Sequence, residues 1–209
     1  MMAEADQAQN VTTWNSFMAV LGILVELGAM EESTLRLLPL GLVSRSINCN
    51  NELWMAAALS SPSVMSLTPP QLAALVGALQ CTDLLKRPMS IWSSYQVSDA
   101  VVAAIEELEP VMEAIYNAQT AAGQARWNEH LAVDLRLAGL VEAWAGGASW
   151  QEIMADTSID DGDMARLLAR TADMLKQMTF LDEQLPYLTG PARAALKGMD
   201  RKPISDLVA

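Results

Sequence analysis

The chain has 209 residues, 52% hydrophobic and 18% charged, enough to bury one sizeable core or a core with a smaller satellite. That excludes a disordered tail. A formal net charge of −12 excludes a protein that coats nucleic acid through overall charge, so any contact with phosphates must be local.

Alanine, leucine and methionine dominate, aromatics are few, and β-branched runs of period two are nearly absent, which predicts an all-α fold. Cys49 and Cys81 are isolated thiols with no CxxC pair and no histidine at ligand spacing. No metal site or disulfide framework is expected, and a reducing compartment fits. The start, MMAEADQAQN, lacks the make-up of a secretory signal or a transit peptide, and no apolar run reaches spanning length. A soluble chain without a membrane partner is expected.

In chain order, a first helix is predicted from about Glu4 to Leu27, with Trp14, Phe17, Met18, Leu21, Leu24 and Val25 on one stripe and Gly28 as its stop. Such a stripe must dock on something. Leu35 to Gly41 reads as a short extended piece and turn of the kind that forms a wing. Asn51 opens a helix to about Leu59, with Trp54 read as core, and Ser60 to Ser66 reads as a loop. Thr68 then caps a helix that carries Pro69 and Pro70 in its first turn and turns Leu72, Leu75, Val76 and Leu79 inward. From Cys81 to Tyr95 the pattern breaks. Lys86, Arg87, Trp92 and Tyr95 give a basic, aromatic loop that suits either a solvated linker or stacking against a strand of nucleic acid.

One long helix is predicted over Val97 to Ala122, bent at Pro110, with Val101, Val102, Ile105, Leu108, Met112, Ile115 and Tyr116 inside. Trp127 to Trp144 is predicted as another, closed off by Gly146 and Gly147. His130, the only histidine, has no serine, cysteine or second ligand near it in sequence and is read as structural.

The best-defined stretch is Ser149 to Met178. Ser149 and Glu152 form the sequence of a capping box, and the short helix they open should end near Asp156. Thr157, Ser158, Asp160 and Asp161 supply oxygens for the turn and for the next helix's N-terminus. In that helix Met164, Leu168, Thr171, Leu175 and Met178 make one buried stripe, and Arg166, Arg170, Asp173 and Gln177 fall opposite. Two arginines thus sit one turn apart, facing away from the core. A helix, a turn and a second helix showing arginines is the outline of a helix-turn-helix reader, and equally of any two packed helices. A last helix is predicted over Leu185 to Met199, followed by a partly extended tail from Met199 to Leu207.

Several of these segments resemble the C-terminal DSHCT domain of the superkiller-type DExH RNA helicases, its cyanobacterial and plastid branch in particular. The resemblance is carried by the run Ala138 to Ile153, by Thr157, by Asp161-Gly162-Asp163 and by the paired Arg166 and Arg170. It extends to Leu37-Leu38-Pro39-Leu40-Gly41, where Leu38 stands in place of the usual threonine at the close of a winged-helix domain. It includes Asn51 to Trp54, Leu67 to Leu72, and the ending Met199-Asp200-Arg201-Lys202-Pro203-Ile204-Ser205. The division it implies is a winged-helix-like remnant and connector over 1–48 and a helical bundle over 49–209.

The resemblance implies a bundle that covers the RNA channel of an ATP-dependent helicase and offers side chains to single-stranded RNA. Its partners would be RecA-like motor domains, in cis or in trans, and ATP and Mg would be held in those domains, with no cofactor in this chain. Arg166 and Arg170 match the arginines of the channel-lining helix, and Lys176 and Gln177 are secondary candidates for RNA contact. Guanidinium groups suit this role because they stay charged, stack on bases and donate in a planar fork. Ala169 and Asp163 replace a basic residue and a serine found in eukaryotic members, so this face is less positive than theirs. The setting implied is the chloroplast stroma or the cyanobacterial cytoplasm.

The sequence contains no GxxxxGK[ST] loop, no DExH strand and no glycine-rich turn that could cradle a triphosphate, and no catalytic residues are assigned. Asp160, Asp161 and Asp163 lack the frame of a calcium loop and read as caps. Two other readings stay open. One is a stand-alone helical protein-interaction module with an acidic, methionine-rich surface. The other is a dimeric helix-turn-helix DNA-binding regulator reading duplex through Ala165 to Ala172, which the net negative charge opposes.

Overall fold

Every residue from Leu72 to Leu79 is buried, because the sequence LAALVGAL is apolar on all sides and belongs to a helix enclosed by others. The computed structural model describes residues 2–80 and 95–206, with side chains from residue 13 onward. The described residues are helical, as predicted, with ten α-helices. They are α1 (Met2–Glu26), α2 (Pro39–Ser46), α3 (Glu52–Leu59), α4 (Pro69–Gln80), α5 (Asp99–Glu106), α6 (Glu109–Ala121), α7 (Ala138–Ala145), α8 (Trp150–Ala155), α9 (Asp161–Met178) and α10 (Pro186–Met199). Where both partners are described, the extended pairing is one antiparallel bridge, Met30 with Leu37. The central helix α4 packs against α5, α7, α9 and α10.

The core around α4 holds Trp54, Leu75, Leu140, Trp144, Met164 and Leu175, each with at most 1% exposure. A smaller cluster of Ile23, Ala29, Leu53 and Ala118 joins the end of α1 to α3 and α6. Among the described side chains of α1, those at this end are the covered ones. Trp14, Phe17 and Met18, predicted on the buried stripe, are exposed at 61%, 53% and 45%, since α1 runs on past the α6 surface that receives it.

Five predicted elements take another form. Leu40 and Gly41 lie within α2 instead of in an extended turn, because Pro39 is preset for a first helical turn; the chain reaches it through Leu35, a non-glycine residue at φ 55°. Residues Pro62–Ser66 form a 3₁₀ turn where a loop was predicted. The predicted Val97 to Ala122 helix is two, α5 and α6. Pro110 has no N–H for the Glu106 carbonyl, and the break leaves Tyr116, predicted inside, 51% exposed.

The predicted Trp127 to Trp144 helix is a 3₁₀ turn, Ala125–Leu131, followed by α7. Between them the Asp134 N–H leaves the helical path to donate to the Ala78 carbonyl of α4 at 3.0 Å. The buried Asp134 carboxylate meanwhile accepts from the Arg136 backbone N–H at 2.9 Å and from its guanidinium at 2.7 Å. One bond to a distant carbonyl and a local side-chain turn thus replace the helical ladder here.

The predicted extended tail instead folds back as a turn, with Ile204 fully buried. Arg201 fastens it. Its guanidinium lies 3.8 Å from the centre of the Trp144 ring and donates to the carbonyls of Trp144 and Ala148, the latter at 3.0 Å. A cation at the C-terminus of α7 meets the carbonyls that the helix leaves unpaired. Gly139 serves the same helix on another side, where a Cβ would overlap the Tyr95 carbonyl oxygen and push away the 95–97 segment. Tyr95 is half-buried there, while Cys81, Lys86, Arg87 and Trp92 lie outside the described residues.

Candidate nucleic-acid interface

The turn before α9 is built as its sequence dictates. The Ser149 N–H donates to Glu152 Oε2 at 2.7 Å and the Glu152 N–H returns to Ser149 Oγ at 3.3 Å, a complete capping box at the head of α8. These bonds to Ser149 hold the Glu152 carboxyl below its ordinary range. Asp160 caps α9, accepting from the Asp163 N–H at 2.8 Å, and Thr157 accepts from the Ile159 N–H at 3.1 Å.

Met164, Leu168, Thr171, Leu175 and Met178 are all fully buried, with Leu167, Ala172 and Met174 widening the inward arc. Arg166, Arg170 and Asp173 are exposed on the other face. Arg166 donates to Asp163 Oδ1 at 2.8 Å, which fixes its direction while its side chain stays 56% exposed. Lys176 is exposed in the last turn, but one residue before Gln177 it stands about 100° round the helix from that side chain.

Gln177 is engaged at both ends of its amide. Its Oε1 accepts from the Asn48 N–H at 2.7 Å, and its Nε2 donates to the Asn48 carbonyl at 3.3 Å and to Asp173 Oδ2 at 2.8 Å. It therefore clamps the turn before α3 onto the exposed face of α9. The structure thus brings Arg166, Arg170 and Gln177 onto one face and leaves Lys176 at its flank.

Beside Arg170 and Asp173 opens a cavity of about 480 Å³, lined also by Asn51, Trp54, Gln80 and His130. Sequence reading missed it. These residues come from the start of α3, the end of α4 and the 3₁₀ turn, and no spacing along the chain links them. Cys49 also borders the cavity, and burial pushes its thiol up to about 11, so it is an unreactive neutral group at physiological pH. Among the described residues no three His, Cys, Asp or Glu side chains converge as a metal site, and no helix is long and apolar enough to cross a membrane.

The profile of the DSHCT (NUC185) domain family matches residues 34–206, from the approach to α2 through the final turn. The chain is also 36% identical over 203 residues to a chloroplastic DExH-box ATP-dependent RNA helicase of Arabidopsis thaliana. That match covers 93% of this chain and 16% of the relative's length. The matched span includes α9 and every residue lining the cavity beside it. A family match over most of the chain, on a helical fold of the kind the sequence predicted, is decisive: this chain belongs to the DSHCT domain family.

Proposed function

We propose that this chain is an accessory domain of an ATP-dependent RNA helicase and that it contacts single-stranded RNA through the exposed face of α9. The observation that carries the reading is the pair Arg166 and Arg170, held one turn apart on the face opposite a fully buried stripe. Arg166 is steadied by Asp163, and a guanidinium so oriented can meet a phosphate or stack on a base without first ordering its whole side chain. Lys176 adds charge at the flank, and Gln177 acts as the positioning residue that sets the 48–51 turn beside the arginines.

The motor lobes, with their ATP and Mg, would be supplied in cis or in trans, and 1–48 would be the connector to a winged-helix region ahead of the 49–209 bundle. The uncovered Trp14, Phe17 and Met18 of α1 support such docking, because an apolar face left in water is a face for another protein surface. The relative's chloroplastic setting supports a plastid location, while a cyanobacterial one would rest on the sequence resemblance alone. Ultraviolet crosslinking of single-stranded RNA to the protein tests the reading. Crosslinked peptides should fall within 161–178 and the 48–51 turn; crosslinks confined to other surfaces would reject it.

A further inference from the structure

We infer that the apolar groove between α6, α3 and the neighbouring ends of α1 and α2 is a docking site for a basic amphipathic helix of another protein. Its apolar side chains enter the groove, and its lysines and arginines lie over an acidic rim. The groove shares no residue with the arginine face of α9 or with the cavity beside it, so the inference stands apart from the RNA reading.

Four elements meet here without closing. Leu27, Leu40, Ala57, Pro110, Val111 and Ala114 border a cavity of about 280 Å³ that has no polar residue in its lining. Each of the six keeps part of its surface in solvent, and Pro110 and Ala114 are exposed outright. Small side chains on the two packed helices, Ala57 on α3 and Ala114 on α6, leave the hollow open. An accessible apolar hollow of this kind is a place for another protein's side chains.

The rim is acidic along α6. Glu109 and Glu113 stand one turn apart beside Pro110 and Ala114, Glu106 and Glu107 close α5 just ahead of them, and Glu26 precedes Leu27; all five are exposed. Residues 1–35 and 88–125 contain no Lys or Arg, and among the described residues none of these glutamates forms an ion pair. Tyr116, two turns on from Glu109 and 51% exposed, adds a ring face on which a cation can rest. The basic residues nearest Leu40 in sequence, Arg36 and Arg45, lie before α2 and in its last turn.

Charge selects the occupant. A second copy of this chain would set the same acids against one another at a net charge of −12 each, and its exposed Trp14 and Phe17 lie on a helix with no Lys or Arg to offer. Nucleic acid and anionic lipid surfaces are repelled in the same way. A helix with large apolar residues at i, i+3 or i+4, and i+7, and with Lys or Arg on its flanks, satisfies the lining and the rim together.

The test titrates the chain with labelled helical peptides of equal length. One carries leucines on a single face and lysines elsewhere, a second has serine for each leucine, and a third has glutamate for each lysine. The leucine-lysine peptide should bind about tenfold or more tightly than either counterpart. Ala114→Gln, which sets a longer polar side chain at the mouth of the groove, and Glu109→Lys/Glu113→Lys should each weaken it about fivefold or more, with thermal melting close to that of wild type. Amide chemical shifts of the chain should move at 27, 40, 57 and 111–114 and stay in place over 161–178. Equal binding of the serine or the glutamate peptide, no binding of the leucine-lysine peptide, unchanged affinity of both variants, or shifts centred on another surface would each overturn the inference.

Discussion

Gln177 on α9 and Asn48 before α3 exchange two hydrogen bonds, at 2.7 and 3.3 Å, across 129 residues of chain. The pair joins the arginine face to the wall of the polar cavity, because Asn48 begins the turn that carries Cys49 and Asn51. Replacing Gln177 by Leu removes both bonds and the one to Asp173 while keeping the helix. The expected cost is about 1 kcal/mol of global stability, the net worth of partly exposed hydrogen bonds. Amide exchange should accelerate more in the 48–51 turn than in α4, whose amides report the global loss alone, and a hydrogen-exchange measurement resolves the two.

A larger effect is expected at the other end of the bundle. Arg201 binds the Trp144 ring and the carbonyls that end α7, so Arg201→Ala loses a cation–π contact and several charge-assisted bonds together. The loss should be roughly 3 kcal/mol, and Arg201→Lys should recover under half of it, since an ammonium cannot spread over a ring and fork to several carbonyls. Chemical denaturation of the three proteins checks this ranking.

Glu152 makes the capping box sensitive to acid. Its folded-state pKa is lowered by its bonds to Ser149, so its contribution to stability is complete above the ordinary glutamate value of 4.5 and is lost as pH falls through the lowered folded value. Glu152→Gln, which cannot ionise, should be less stable than wild type near neutral pH, and the difference should close as pH falls through that acidic window. A thermal-melting series from neutral to acidic pH on both proteins reads the difference.

Much of the candidate interface was legible in the sequence. The α9 stripe, its Asp160 cap and the Ser149 box rest on local rules, spacing of apolar residues and short polar side chains at helix starts, which tertiary packing had no reason to override. The breaks at Glu106 and around Asp134 were less legible. Pro110 could have bent a helix or started one, and Asp134 left its helix for a carbonyl on α4 that lies 56 positions earlier in the chain. Trp14 and Phe17 show another limit, because an apolar stripe records that a face is to be covered without saying which body covers it. The cavity was invisible for a similar reason, being assembled from residues that share no periodicity.

The most direct test of the account is the affinity of the chain for single-stranded RNA at low ionic strength, measured by fluorescence anisotropy with wild type and Arg166→Ala/Arg170→Ala. The account predicts unchanged folding and an affinity loss of about tenfold or more, the equivalent of one or two lost charge-assisted contacts. Equal affinity of the two proteins would contradict it.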